Sequence, residues 1–232
     1  MNVIAPDGRG DHKPLKLSGD DLAQAIAVQL EEEIVFGRLH PRERLIEQDI
    51  SDRFAAKRHV VRQALVELER LGLVERTRNR GAVVRLYRVK EVEEINAVRE
   101  LLEAHAAAII PLPLPENELA KLEAIQRQHA GAVESEDRRM VFRANIDFHK
   151  AFFAHCGNHA LIEAIDTFAQ KSHAYRSIFV NDKQYLRWAA GAHMEMIAAL
   201  RDGDSARLVR LCVDHLAPAK NRYIETYRSR FE

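Results

Sequence analysis

Apolar residues recur at every fourth position between residues 22 and 34, which is the spacing of one face of an amphipathic helix. Ser18 stands before this stretch with Asp21 three residues later, a capping-box pattern in which the hydroxyl satisfies a free backbone N–H at a helix start. Gly37 is a residue at which such a helix commonly ends. The pattern therefore predicts a first helix after residues 1–17, which carry Gly, Pro and mixed charge without periodicity and indicate a flexible tail.

Two shorter helices and a β-hairpin are predicted next. In chain order the segments are a loop at 38–45, helices at 46–56 and 59–72, and β-prone runs at 73–76 and 82–86. The sequence TRNRG separates the two runs, and its composition is typical of a turn in which Gly81 is free to adopt a positive φ. Three helices followed by a hairpin within about seventy residues predict a winged helix-turn-helix domain at residues 18–88.

From about Val89 onward the strand pattern stops and the spacing of apolar residues is helical. Turn-forming residues interrupt this pattern at 111–117, 135–137, 156–158, 180–182 and 201–204. The breaks predict roughly six helices of about 15 to 25 residues, packed as an all-helical bundle at residues 91–228. The predicted fold class is therefore mainly α, with an N-terminal winged helix-turn-helix followed by a helical bundle.

The positive charge of the chain is concentrated rather than spread. Overall, 35 Lys and Arg residues balance 35 Asp and Glu residues among 232, which argues against a uniformly basic surface. Between residues 53 and 85, however, there are nine Lys or Arg and three Glu, a net charge of +6. A basic patch confined to the predicted winged helix-turn-helix indicates contact with a polyanion.

Composition places the chain among soluble globular proteins, since hydrophobic residues make up 47% and charged residues 30%. The N-terminus lacks the apolar core of a signal peptide, and the most apolar run, AHAAAIIPLPL, is interrupted by Pro111 and Pro113, so no membrane span is expected. Cys156 and Cys212 show no metal or redox spacing, and two free thiols fit a reducing compartment. A cytoplasmic location is expected.

The third predicted helix begins with a dense positive charge although it must bury apolar side chains. At helical spacing Val61 and Leu65 turn inward, while Arg58, His59 and Arg62 face outward. One interpretation is a solvated charged face. The other is a recognition helix, because the second helix of a helix-turn-helix enters the major groove and arginine pairs bidentately with guanine. The order of helix, turn, helix and hairpin favours the recognition helix.

Residues 39–86 resemble the DNA-binding domain of GntR-type bacterial transcription regulators almost residue for residue. The resemblance implies that Arg58, His59 and Arg62 of the recognition helix contact the operator. It implies further contacts from Gln48 of the preceding helix and from the wing tip, at Asn79, Arg80 and Gly81. Three positions depart from the family pattern, and one of them is Val60, where Pro or Thr is usual. Lys57 stands where Ser or Thr is usual, and losing the capping hydroxyl should cost about 1 kcal/mol of local helix stability. His59 stands where Thr is usual, which bears on base preference.

A set of polar residues in the C-terminal half has the composition of a metal site. Asn145 and His149 are four residues apart and share one helix face, while His193 and His215 lie on otherwise apolar helices, where an imidazole needs a partner. Three imidazoles and one oxygen ligand suit a divalent transition metal such as Zn²⁺ or Ni²⁺. The alternative is that these are structural core histidines. The remaining histidines of this half are interpreted as bystanders: His105, His129, His155, His159 and His173.

Residues 91–228 also resemble the FCD effector domain of the FadR subfamily of these regulators. The resemblance places that subfamily's metal ligands at Asn145, His149, His193 and His215, with Asn in place of the usual Asp, so the site has one negative charge fewer.

Arg99 and Glu103 match the subfamily pattern R-x-x-x-E. The resemblance implies that both line an effector pocket, with Arg99 as partner for a ligand carboxylate. An ordinary surface ion pair one helical turn apart is the alternative.

The sequence as a whole predicts a ligand-responsive transcription regulator that binds a palindromic operator in double-stranded DNA as a homodimer. A small carboxylate that chelates the bundle metal is the expected effector. The first alternative is a metal-dependent hydrolytic enzyme that uses His149, His193 and His215. It has no well-placed general base, because Asp147 faces about 160° away around its helix and Glu195 would have to bend across. The second alternative is a bundle that only dimerises.

Overall fold

The computed structural model describes residues 18–77, 81–176 and 182–228. The chain divides into two compact units between Leu86 and Tyr87. The tail predicted at residues 1–17 and the turn tip at 78–80 lie outside the described residues.

In residues 18–77 and 81–86, the first unit contains three helices and a three-stranded antiparallel sheet in the order β1-β3-β2. Its elements are α1 (Gly19–Val35), β1 (Arg44–Leu45), α2 (Glu47–Phe54), α3 (Arg58–Arg70), β2 (Val74–Thr77) and β3 (Gly81–Val84). This arrangement confirms the predicted winged helix-turn-helix. Its core is formed by fully buried apolar residues on α1 and α3, among them Ile26, Leu30, Val61, Leu65 and Leu68.

The predicted capping box forms at the start of α1. The backbone N–H of Asp21 donates to the hydroxyl oxygen of Ser18 at 3.2 Å, and the Asp21 carboxylate accepts from the Ser18 backbone N–H at 3.3 Å. These two bonds satisfy backbone donors that have no partner within the helix. The short polar pair therefore determines where α1 begins.

Strand β1 is a difference from the sequence prediction, which assigned residues 38–45 to a loop. Arg44 pairs with Val83 and Leu45 pairs with Ala82, so that β3 is the central strand of the sheet. Two residues are too few to show an alternating pattern, and their extended conformation depends on the strand beside them. Strand β1 can therefore be recognised only once its pairing with β3 is known.

The backbone of Gly81 passes close to β1. Its φ is +88°, and a Cβ at this position would lie 2.1 Å from the carbonyl oxygen of Leu45. The positive φ expected from the turn sequence is thus confirmed, and the close approach of the two strands requires glycine for a second reason.

The second unit is built entirely from helices within the part of the chain that the structure describes. They are α4 (Val89–Ile109), α5 (Glu116–Ser135), α6 (Arg138–Ala154), α7 (His159–Arg176), α8 (Lys183–Asp202) and α9 (Ser205–Tyr227). The expected bundle of six helices is confirmed. Helix starts follow sequence signals, since Asp137, Asp182 and Asp204 each accept a hydrogen bond from a backbone N–H of the first turn.

The bundle core combines aromatic and aliphatic side chains from α4 to α9. Phe148 and Phe152 of α6 pack with Met196 and Leu200 of α8, and all four are essentially inaccessible to solvent. Cys156 and Cys212 are free thiols, both buried in the same cluster. Of the helices in the described segments, none is long and apolar enough to cross a membrane.

We expect Gly81→Ala to destabilise the first unit, because alanine would adopt a strained positive φ and its Cβ would collide with the Leu45 carbonyl oxygen. Backbone strain of this kind costs about 1–3 kcal/mol before the collision is counted. Differential scanning calorimetry should show a lower transition temperature for this unit.

Gly131→Ala is the matched control, since a Cβ there meets no atom within 4 Å. In the interior of α5 the same substitution should stabilise by about 0.5–1 kcal/mol. A Gly81→Ala protein as stable as the wild type would contradict the proposed role of the close approach.

Candidate functional site

The basic residues at the start of α3 are exposed, whereas the apolar residues beside them are buried. Arg58, His59 and Arg62 are open to solvent, and Val60 and Val61 are buried in the core of the first unit. Lys57, the residue just before the helix, makes no side-chain hydrogen bond to the first turn. The outward face of α3 therefore combines charge with backbone N–H groups that lack a side-chain cap, which is a favourable environment for phosphate.

Side chains of α2 hold the exposed arginines of α3. The Nε–H of Arg62 donates to the Glu47 carboxylate at 2.9 Å, and an Nη–H of Arg58 donates to the Gln48 side-chain oxygen at 2.6 Å. The Gln48 amide donates in turn to the Asp52 carboxylate at 2.8 Å.

The two pairings have different consequences for a base contact. A bidentate contact with guanine uses two N–H groups of one guanidinium. Arg62 is held through Nε, so its two Nη groups can point away from Glu47, whereas Arg58 is held through one N–H of an Nη group. The hydrogen bond to Glu47 therefore orients the Arg62 guanidinium before any partner binds. Of the residues expected at the wing tip, Asn79 and Arg80 lie outside the described residues, and Gly81 contributes the close approach to β1.

Three helices of the second unit bring three histidines together. His149 of α6, His193 of α8 and His215 of α9 place one ring nitrogen each within 4.8 Å of one another. Their ring centroids are 4.9 Å apart for His149 and His193, 5.1 Å for His149 and His215, and 4.9 Å for His193 and His215. Residues separated by 66 positions in the sequence therefore form one cluster.

The imidazoles of the cluster are uncharged. Burial lowers the pKa of His215 to about 3 and those of His149 and His193 well below the ordinary value. Among the described residues, Nε2 of His149, Nε2 of His193 and both ring nitrogens of His215 are buried without a hydrogen-bond partner. Buried ring nitrogens without hydrogen bonds are costly, and a group of imidazoles so arranged fits a divalent transition metal.

Gln126 of α5 is hydrogen-bonded to one member of the cluster. Its side-chain oxygen lies 2.9 Å from Nδ1 of His193, and its amide donates to the backbone carbonyl of Ala190 at 2.8 Å. Phe148 stacks on the other side of the His193 ring with centroids 4.1 Å apart. The orientation of His193 is therefore constrained by both a hydrogen bond and a stacked ring.

Asn145 lies one helical turn before His149 on α6 and is partly exposed. Its side chain makes no hydrogen bond within the described residues. The carboxylates weighed for a catalytic base lie elsewhere: Asp147 is exposed, and Glu195 pairs with Arg207. The metal-capable cluster of the described residues contains no carboxylate.

Two aromatic side chains extend the cluster. His129 of α5 is 1% exposed, and its ring lies 5.2 Å from that of His193, so it is a core histidine that packs beside the three-histidine group without belonging to it. Trp188 of α8 stacks on His215 with centroids 5.5 Å apart and rings 14° from parallel. Because Trp188 is 40% exposed, it connects the buried histidines to the surface.

Arg99 and Glu103 form a buried ion pair. The two side chains are 5% and 3% exposed and lie 2.9 Å apart, so the alternative of a surface pair is wrong. Burial raises the pKa of Glu103. For Arg99 burial opposes the charged form, but the combined interactions with Glu103 and Tyr175 exceed this effect and raise its pKa. The charge of Arg99 also contributes to lowering the pKa values of His149 and His215.

Comparison with known proteins identifies the family. Residues 22–84 match the model for bacterial regulatory proteins of the gntR family, and residues 94–218 match the FCD domain. The chain belongs to the gntR family of bacterial regulatory proteins and carries an FCD domain. Members of this family regulate transcription rather than catalyse reactions, so the enzymatic alternative is wrong.

Relatives of known description are distant in sequence. The HTH-type transcriptional repressor RspR of Escherichia coli is 22% identical over 187 residues, which are 81% of this chain and 82% of RspR. Among solved structures, E. coli McbR/YncC has a TM-score of 0.70 at 21% identity, covering 91% of this chain and 99% of its own. A protein described as a GntR transcriptional regulator from Rhodococcus sp. RHA1 has a TM-score of 0.73 at 21% identity, covering 89% and 99%. At these identities the structures support the shared fold.

Sequence reasoning did not single out Gln126, His129 and Trp188. A signal for the first two exists, because Leu119, Leu122, Gln126 and His129 follow the spacing of a helix face, so that two polar residues occupy core positions of α5.

We expect the apo protein to lose stability as the pH falls from about 6.5 towards 4. Burial lowers the pKa of His129 to about 4 and that of His215 to about 3, whereas a histidine in the unfolded chain titrates near 6.5. Above pH 6.5 neither state binds the protons. Below it the unfolded state binds protons that the folded state does not, which costs up to about 1.4 kcal/mol per pH unit for each group.

Urea unfolding of chelator-treated protein at pH 7.5, 6 and 5 measures this slope. His129→Gln should reduce it, and replacement of the exposed His105 by Gln should leave it unchanged. An identical slope in wild type and His129→Gln would contradict the assignment of a low pKa to His129.

Proposed function

We propose that this regulator binds a palindromic operator as a homodimer and responds to a small carboxylate held in a metal-containing pocket of its FCD domain. The observation that carries the effector half of the proposal is the convergence of three uncharged histidines within 4.8 Å in the bundle core. The family supports regulation of transcription, and such a regulator acts in the cytoplasm, where the DNA is.

The DNA-binding half rests on the outward face of α3. Twofold symmetry lets two recognition helices enter successive major grooves of a palindrome. Arg58, His59 and Arg62 are the proposed base and phosphate contacts of each subunit, with Gln48 beside them. Asn79, Arg80 and Gly81 are proposed to contact DNA from the wing.

The metal would be held by His149, His193 and His215, with the amide oxygen of Asn145 as a fourth donor. Zn²⁺ and Ni²⁺ suit such a nitrogen-rich set. Bound there, the cation supplies positive charge and a coordination position for a carboxylate oxygen. All four protein donors are neutral, so the effector is the group that brings compensating negative charge.

Arg99 and Glu103 are proposed to line the effector pocket. Because Arg99 already pairs with Glu103, a ligand carboxylate must share or replace that carboxylate to bind the guanidinium. A ligand with different affinity for two dimer geometries shifts their populations and thereby changes DNA affinity. A bundle that only dimerises would bind no such ligand.

We expect Arg62→Ala to weaken operator binding roughly 5- to 150-fold, because one bidentate guanine contact contributes about 1–3 kcal/mol of discrimination. An operator selected from random duplex DNA, titrated by fluorescence anisotropy at fixed salt, provides the measurement.

Arg70→Ala is the matched control. It removes the same charge from the C-terminal end of α3, where Arg70 pairs with Glu67. It should lower affinity only through the general electrostatic field. Equal losses in the two variants would contradict the assignment of Arg62 as a base contact.

We expect one or more small carboxylates to raise the thermal midpoint of the metal-loaded protein. A ligand at 100 times its Kd that binds only the folded state adds about 2.7 kcal/mol of stability. The shift should disappear after chelation and in His193→Ala. Fluorescence of Trp188, the single tryptophan of the chain, reports binding beside His215 in the same samples.

Asn145→Asp separates the parts of this proposal. A carboxylate at residue 145 should tighten metal binding, and an unchanged metal Kd would show that residue 145 is not a ligand. A metal-loaded protein that no carboxylate stabilises would contradict the proposed effector class.

A further inference from the structure

Gln126 stands out because a long polar side chain is placed in the core of the bundle and both ends of its amide are bonded. It is 1% exposed, on the face of α5 that also carries the apolar core residues Leu119 and Leu122. Its amide nitrogen donates to the Ala190 carbonyl, and its oxygen faces His193. A buried amide with both ends satisfied has one stable orientation.

The orientation of this amide determines the tautomer of His193. The Ala190 carbonyl can only accept, so it selects the NH₂ end of Gln126, and a flipped amide would set two oxygens against each other. The Gln126 oxygen must therefore accept from Nδ1 of His193, which carries the proton of the neutral ring. The lone pair is left on Nε2, the buried nitrogen that lacks a hydrogen-bond partner among the described residues.

We propose that Gln126 is a positioning residue of the metal centre, which holds His193 in the Nδ1–H tautomer and directs its Nε2 to the shared site. This inference rests on the metal binding proposed above. It assigns a role that neither the spacing of the four expected ligands nor the family comparison indicates.

Unlike His193, the other two histidines of the cluster have no side-chain hydrogen bond from a described residue that fixes their tautomer. Within the described residues neither nitrogen of His215 has a hydrogen bond, and no side chain bonds His149. Their tautomers are left to the ligand they bind. His193 is fixed by Gln126 on one side and by Phe148 at 4.1 Å on its face, so it is the preorganised donor of the three.

Gln126→Met tests the proposal, because methionine has a similar length and apolar packing but no group that accepts from Nδ1–H. Competition of Zn²⁺ with a chromophoric chelator should give a metal Kd about 10- to 100-fold weaker than wild type. Gln126→Glu keeps both bonds when the buried acid is protonated, because its O–H donates to the Ala190 carbonyl and its other oxygen accepts from Nδ1–H. It should therefore bind Zn²⁺ about as tightly as wild type. Gln128→Met makes the same substitution at an exposed position of α5 and should leave the Kd unchanged.

The absorption spectrum of the Co²⁺-loaded protein distinguishes positioning from packing. If Gln126 acts through His193, Gln126→Met should shift the cobalt bands towards those of His193→Ala, while Gln126→Glu retains the wild-type bands. Thermal unfolding of the apo variants reports any loss of folding separately. Should Gln126→Met be unfolded, Gln126→Glu still decides, because weaker zinc binding or altered bands in that variant would overturn the proposal.

The failures of the two proposals are distinguishable. A wild-type protein that binds neither Zn²⁺ nor Co²⁺ removes the metal centre and with it the role of Gln126. A wild-type protein that binds both ions, with Gln126→Met equal to it in Kd and spectrum, leaves the metal centre intact and shows Gln126 to be a packing residue only.

Discussion

Burial of uncharged imidazole rings in the core of one helical bundle is the constraint on which the second unit depends. Each buried polar group without a hydrogen bond costs about 1–3 kcal/mol, and His149, His193 and His215 present four such nitrogens among the described residues. Stacking against Phe148 and Trp188 recovers part of this cost through ring contacts. A leucine core would be more stable in isolation. We therefore interpret the arrangement as a binding site, because a ligand that binds only the folded state increases the free energy of unfolding.

The arginines of α3 also combine a favourable and an unfavourable contribution to binding. In the proposed complex with DNA, pairing Arg62 with Glu47 and Arg58 with Gln48 lowers the entropy that each long side chain must lose on binding. The carboxylate also offsets one positive charge, which weakens attraction to any DNA sequence. Arg62 keeps its Nη groups available for a base edge while it stays bonded through Nε. Under the DNA contacts proposed for these arginines, such pairing favours discrimination between sequences over general affinity for polyanions.

Features encoded by neighbouring residues could be predicted from the sequence, whereas features that depend on distant parts of the chain could not. The helix beginning at Ser18, the positive φ of Gly81 and the six-helix bundle follow from spacing and turn chemistry, and the structure contains all three. Strand β1 was missed because two residues take their conformation from a neighbouring strand. Gln126 was missed because polar residues on a helix are usually exposed, and only the three-dimensional position of His193 reveals its partner. The residue spacing in Arg99-x-x-x-Glu103 indicated an ion pair, but burial depends on the other helices.

The low pKa values of the cluster connect metal, effector and proton in the proposed function. Because burial keeps His149, His193 and His215 neutral at neutral pH, a cation entering the site displaces no protons from them. With Asn145 in place of a carboxylate, the protein donors leave the charge of that cation uncompensated, so an anionic effector and the cation each favour the binding of the other. Linkage makes this coupling reciprocal: the factor by which the cation raises effector affinity equals the factor by which the effector raises retention of the cation. A regulator built this way responds to the product of two concentrations rather than to either one alone.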